Sequence, residues 1–258
     1  MRVLIVGEVP FVDTLAGLCR ARQHKVDLFI ADELEDQAVL DRMVRAATRC
    51  QIAVESLNES TESKEWLVTG IEANLSAETP LLVNALAASA TECAGWVEKP
   101  SRVVGYGLLP PITLAGLVEF APALQSDFEM VARARRFLES VGFEVVRVPD
   151  APALVRPRVV CTLINEAVRT LSATGVTVEE IDAAAQGGLH YPLGLLSWAD
   201  VIGLDVVVGT LEALWRYWGA ERYRPAPLLR QKVFAGHLGK KSGRGFYSYE
   251  TPAPDAVS

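Results

Sequence analysis

This chain of 258 residues is short of several things, and each absence narrows what it can be. No basic block occurs and the net charge is −7, which argues against a nucleic-acid partner. No run of about eighteen uncharged apolar residues is present, so no membrane-spanning helix is predicted. The opening MRVLIVG lacks a charged region leading into a long apolar stretch and a cleavage site, and no signal peptide is predicted. Cys19, Cys50, Cys93 and Cys161 include no CxxC pair and no histidine at ligand spacing. That pattern predicts no metal site and favours reduced, partly buried thiols in a cytoplasmic protein. Histidine is scarce too, at three residues. What remains is a globular balance, 50% hydrophobic and 22% charged, with length for two domains of ordinary size.

The first half alternates strand and helix signals. Arg2–Gly7 (RVLIVG) is a continuous apolar run ending in glycine, as in a fully buried parallel strand. A helical stretch to about Gln23 and a second strand over Val26–Ile30 complete a β-α-β opening, where a dinucleotide fold carries G-x-G-x-x-G. Here the turn reads Gly7-Glu8-Val9-Pro10-Phe11-Val12, with only the first glycine. Val9 and Val12 place side chains where backbone should approach a pyrophosphate and a helix should pack on a strand. Glu8 adds a carboxylate near a helix N-terminus, which would repel phosphate. The acidic residue that should hold the ribose is displaced, with Ile30 in its place and Asp32 two residues on. Further strands are predicted at 51–56, 80–84, 102–106 and 143–148. A helix over Lys64–Asn74 should have Trp66, Leu67 and Ile71 inward, and one capped by Ser126 with Glu129 should run to Val141. The stretch 108–118 reads as an apolar loop with two prolines. The result is a Rossmann-like, doubly wound parallel sheet domain over residues 1–150.

After Pro149-Asp150-Ala151-Pro152 the periodicity becomes helical. Val160, Leu163, Ile164, Ala167, Val168 and Leu171 share one face, and Gly175 ends that helix. Thr177 with Glu180 forms a second capping box. Val207, Leu211, Leu214 and Trp218 share a face of a long helix ending at Gly219. Residues 151–249 are predicted to form an all-α domain, and residues 250–258 a flexible tail.

Three stretches of this second half resemble the 3-hydroxyacyl-CoA dehydrogenase family. His190-Tyr191-Pro192-Leu193-Gly194-Leu195, with Ala199–Asp205 (ADVIGLD), is similar to the family's GYPMGPLELADLIGLD segment. Arg222–Leu229 (RYRPAPLL) is similar to its RYRPPPLL, and Leu238–Tyr249 to its LGRKTGRGFYDY. The resemblance is most specific over residues 150–249 and covers essentially the whole chain. It implies a Rossmann domain followed by a helical domain that builds a homodimer, and the apolar face of Val207–Trp218 with the helix around Leu163 predicts that dimer through residues 155–235. It also implies a cleft between domains where NAD meets an acyl-CoA. The family's reaction is hydride transfer from the 3-hydroxyl carbon to NAD, with a histidine as base, a glutamate orienting it and an asparagine holding substrate oxygens.

Carried onto this chain, the family's GMHFFNP falls on Gly105–Pro111. The histidine position is Gly107, the asparagine position is Pro110, and the orienting glutamate is Glu119. The family's DTPGFIVNR falls on Asp150–Arg158, placing Pro157 at its asparagine. Its NTSSL falls on Asn84–Ala88, without either hydroxyl. Glu59 and Lys64 match a glutamate and a lysine near the nicotinamide. The cofactor contacts implied are thus Gly7, Asp32, Glu59 and Lys64, with Glu119 the catalytic residue kept. His24, His190 and His237 read as surface or packing residues, and Tyr106 as a core aromatic. Three functions fit: a family protein that has lost the dehydrogenase reaction and serves as a binding or partner protein; an active NAD-dependent 3-hydroxyacyl-CoA oxidoreductase with a substituted base; and a different enzyme using the acyl-CoA site without nicotinamide.

Overall fold

A computed structural model describes residues 1–58, 60–112 and 116–249. It divides into two compact units, residues 1–158 and 159–258. In the first unit the order is β1 (Arg2–Gly7), α1 (Phe11–Ala21), β2 (Lys25–Ile30), α2 (Gln37–Ala47), β3 (Ile52–Ser56), α3 (Thr61–Glu72), β4 (Leu81–Asn84), α4 (Ala90–Gly95), β5 (Val103–Gly107), β6 (Leu117–Pro122), α5 (Phe128–Val141) and β7 (Glu144–Arg147). The strands form one sheet in the order β2-β1-β3-β4-β5-β6-β7. Neighbours are parallel except β5 and β6, which are antiparallel.

Side-chain alternation divides the core into two layers. Leu4, Val6, Ala53, Leu81 and Val83 pack with Met43, Leu67, Val68 and Ile71 from α2 and α3. Val3, Ile5, Ile52, Val54 and Leu82 pack on the other face with Leu15 and Cys19 of α1 and Phe137 and Leu138 of α5. Residues 3–6 are fully buried because both faces are covered, as in other parallel sheets. The chain reverses its lateral direction between β1 and β3, the switch point at whose carboxyl end ligands bind in open α/β sheets.

Several local expectations change. The stretch 108–118 is not all loop: from Leu117 it enters β6, so Glu119 is a strand residue. A helix, α2, occupies the span between the second and third strands; charge at every third or fourth position hides its buried stripe of Met43, Ala46 and Ala47. Asp127 rather than Ser126 caps α5, accepting from Glu129 N at 2.8 Å, because Ser126 Oγ donates to Val103 O at 2.5 Å. Trp66 is not inward; it is 54% exposed.

The helices α6 (Arg156–Thr174), α7 (Val178–Ala183), α8 (Leu195–Ile202), α9 (Leu204–Trp218) and α10 (Pro227–Phe234) follow, with a π-helical turn at Ala184–Gly188. The Thr177–Glu180 capping box is present. Two buried carboxylates organise the second unit. Asp182 accepts from Leu196 N, Ser197 N and the Tyr247 hydroxyl. Asp200 accepts from Phe246 N, Tyr247 N and the Tyr249 hydroxyl, each at 2.9 Å. A Cβ on Gly245 would fall inside the Asp200 carboxylate, which accounts for that glycine in the closing segment. Asn165 joins α6 to the RYRPAP segment, donating to Arg222 O and Arg224 O and accepting from Ala226 N. The expected tail, residues 250–258, lies outside the described residues.

Candidate active site

The antiparallel β5–β6 pair sets the centre of the site, because its register places Gly107 directly across from Glu119. Glu119 is 5% exposed. Its Oε1 accepts from Arg156 N at 2.7 Å and its Oε2 from Val155 N at 3.1 Å, so the carboxylate caps the start of α6. Burial pushes the Glu119 carboxyl above the usual range, and the two N–H donors and the Arg156 charge pull partly against it. Arg156 donates to Leu109 O at 3.2 Å.

Gly107 has no side chain, and the room beside it is taken. A Cβ built there would lie 2.8 Å from Leu154 Cδ1 and 3.3 Å from Glu119 Oε2. Leu154 is 3% exposed and adopts φ 47°. Pro157 is the second residue of α6, where a missing N–H costs nothing because first-turn N–H groups have no intrahelical acceptor. Tyr106, next to Gly107, is 1% exposed and donates to Glu55 O at 3.1 Å, a core aromatic whose hydroxyl is pushed up by burial.

The turn after β1 makes contacts of its own. Gly7 is needed by the sheet itself, since a Cβ there would collide with the Ser56 carbonyl. The Glu8 carboxylate turns towards β3, accepting from Asn58 N at 2.7 Å and Asn58 Nδ2 at 3.1 Å. Pro10 supplies no N–H, and Val12 N is spent on Glu8 O. The turn therefore offers an anion fewer main-chain donors than a glycine-rich one.

Lys64 is fully buried. Its Nζ donates to both Glu55 oxygens, at 2.9 and 2.6 Å, and to Leu57 O at 2.9 Å, so all three protons are engaged. The partner, Glu55, was not singled out in the sequence, although an acidic residue inside an apolar strand is a signal for a buried pair. Glu59 lies outside the described residues. Asp32 is exposed in a 3₁₀ turn after β2 and lines a pocket of about 470 Å³ with Leu34, Glu35, Leu57, Ser63 and Trp66. That pocket lies at the carboxyl ends of β2 and β3 and is of small-ligand size. The structure thus pairs Gly107 with Glu119, leaves Lys64 inside an ion pair and sets Asp32 on a pocket wall.

Comparison with known proteins agrees with this frame. Residues 19–151 match the 3-hydroxyacyl-CoA dehydrogenase NAD-binding domain and residues 155–249 the C-terminal domain of the same enzymes. A probable 3-hydroxybutyryl-CoA dehydrogenase of Bacillus subtilis is 34% identical over 223 residues, 84% of this chain and 78% of its own. A 3-hydroxybutyryl-CoA dehydrogenase of Bradyrhizobium diazoefficiens is 34% identical over 243 residues, 92% of this chain and 82% of its own. Among solved structures, FadB2 of M. tuberculosis superposes with a TM-score of 0.81 at 26% identity, covering 96% of this chain and 98% of its own. The chain belongs to the 3-hydroxyacyl-CoA dehydrogenase family. Among the described residues, no helix is long and apolar enough to cross a membrane.

Proposed function

We propose that this chain is an NAD-linked oxidoreductase of 3-hydroxyacyl-CoA thioesters in which Glu119 replaces the missing imidazole as the acid–base group. The relatives' names support the reaction class. The observation that carries the site is Glu119 itself: a buried carboxyl directly across from Gly107, held by one main-chain N–H on each oxygen. A carboxylate oxygen accepts two hydrogen bonds, so an acceptor position remains on each for a substrate hydroxyl. NAD, when bound, supplies the hydride acceptor. The pocket beside Asp32 would hold its adenosine end, whereas the altered turn favours loose binding of its phosphates. A positioned base is worth about 10²–10⁴-fold in rate. Wild-type protein should therefore consume NADH with acetoacetyl-CoA, and Glu119→Gln should lose at least ~100-fold. Wild-type turnover no faster than that of Glu119→Gln would end this reading.

A binding protein without turnover is the second reading, favoured by Leu154, which fills the space an imidazole would need. It requires NADH or acyl-CoA to bind with no absorbance change at 340 nm.

The proposal includes a homodimer through residues 155–235. The face of Val207, Leu211 and Leu214 expected to drive it is already fully buried. Support comes instead from Val159, Leu189, Trp215, Trp218 and Phe234, which are 53%, 63%, 37%, 47% and 86% exposed. All four cysteines are buried and free, which favours a cytoplasmic setting.

A further inference from the structure

The two asparagines that the resemblance implies stand here as Pro110 and Pro157, and proline has neither a side-chain donor nor an N–H. Other groups around Glu119 are spent. The main-chain N–H groups of Val155 and Arg156 donate to its two oxygens. Lys64 has every proton engaged, and Asn84 is fully buried, bonded to Ser56 Oγ and Leu108 N. A substrate oxygen held by Glu119 needs a second partner that none of these supplies. Arg156 has donors to give. It stands where the motif DTPGFIVNR has valine, so its charge is a departure from that motif. Its side chain is half-buried, and among the described residues its guanidinium makes one hydrogen bond, to Leu109 O at 3.2 Å. A guanidinium carries five N–H donors, so most are left for a ligand. That single bond fixes it to the second residue after Gly107, and Gly107 lies directly across from Glu119. The charges of Arg156 and Glu119 act on each other, each favouring the other's ionised form.

We propose that Arg156 is the donor that holds the 3-oxygen of the thioester substrate, in the role the resemblance gives to asparagine. A hydroxyl both donates and accepts, so it can give its proton to Glu119 while taking an N–H from Arg156. In oxidation the alcohol's proton passes to Glu119, the C3–H pair leaves as hydride to NAD, and the C3–O bond becomes a carbonyl. Negative charge develops on that oxygen along the way, and a fixed cation in a half-buried site stabilises it more than it stabilises the ground state. The carbonyl oxygen of a 3-oxoacyl thioester accepts the same N–H. Arg156 therefore distinguishes thioesters that carry an oxygen at C3 from those that do not, because its donors go unpaired with the latter. This rests on the acyl-CoA reading above and adds the residue that recognises the reacting oxygen.

Calorimetry with acetoacetyl-CoA and with butyryl-CoA, which lacks the 3-oxygen, on wild type, Arg156→Val and Arg156→Lys tests it. Arg156→Val should weaken acetoacetyl-CoA by about 10- to 100-fold, the worth of a hydrogen bond to a charged group. Butyryl-CoA should bind that variant as it binds wild type, which also shows that the variant is folded. Arg156→Lys keeps the charge and should recover part of the loss. In turnover, Arg156→Val should lose at least as much kcat/KM with acetoacetyl-CoA as it loses affinity. Equal weakening of both thioesters, or of neither, would overturn the proposal, as would wild type that fails to bind acetoacetyl-CoA. Acetoacetyl-CoA affinity that depends on Arg156, in a wild type that consumes no NADH, would keep this contact and remove the turnover reading. Turnover lost in Glu119→Gln, with Arg156→Val equal to wild type in affinity and rate, would remove the contact and leave Glu119 standing.

Discussion

Glu119 and Lys64 were both expected at the site, yet their surroundings differ. Lys64 satisfies Glu55, and removing it would leave a carboxylate at zero exposure without its cation. Breaking a buried pair in this way costs about 3–5 kcal/mol. Lys64→Met should lower the urea midpoint accordingly, and Glu55→Gln added to it should restore most of the loss; an unchanged midpoint would show that the pair does not hold the fold. In the proposed reaction Glu119 is the titrating group. As a base for hydroxyl oxidation it must be ionised, and burial raises its pKa from 4.5. The oxidation rate should therefore fall on acidification with a midpoint above that value, and Glu119→Gln should show no such limb in its pH–rate profile. Neither partner set could be paired off from the sequence, because the partners lie 7 to 37 residues away along the chain.

The β5–β6 hairpin is the element on which the proposed chemistry turns. Its register holds residue 107 opposite residue 119 by main-chain pairing alone, so the placement of Glu119 does not depend on the side chain at 107. The segment before α6 brings Leu154 beside Gly107. Gly107→His alone should overpack, at about 1–3 kcal/mol of stability, with little gain in turnover. Gly107→His with Leu154→Ala should regain stability and raise turnover with acetoacetyl-CoA by about 10²-fold or more. A double variant no faster than wild type would mean that more than the imidazole has been lost. The hairpin is also where the sequence was hardest to read. Two prolines and an apolar run disguise the approach to β6, and an antiparallel strand departs from the alternation that marks its neighbours. The parallel strands were legible because each is a short apolar run, buried on both faces.

At the scale of the molecule, a sheet unit and a helical unit carry different signatures. The helical unit keeps its family motifs because Asp182, Asp200 and Asn165 each satisfy several main-chain groups, and their neighbours have no room to vary. Apart from Gly7 and the Lys64–Glu55 pair, the sheet unit rests mainly on its burial pattern, which many sequences can satisfy. The exposed apolar residues of the helical unit argue for self-association. Sedimentation should give a dimer at micromolar concentration, and Phe234→Asp with Trp218→Asp should shift it towards monomer. A wild-type monomer would remove the dimer from the proposal.

The two buried aspartates also set an order of events during synthesis. Asp182 and Asp200 receive donors from residues 246–249, far downstream of both. The sheet unit can close while the ribosome is still extending the chain. Until that segment emerges Asp182 waits for one of its three named donors and Asp200 for all three, which makes the helical unit the later of the two to mature and the one on which a nascent-chain chaperone has longest to act.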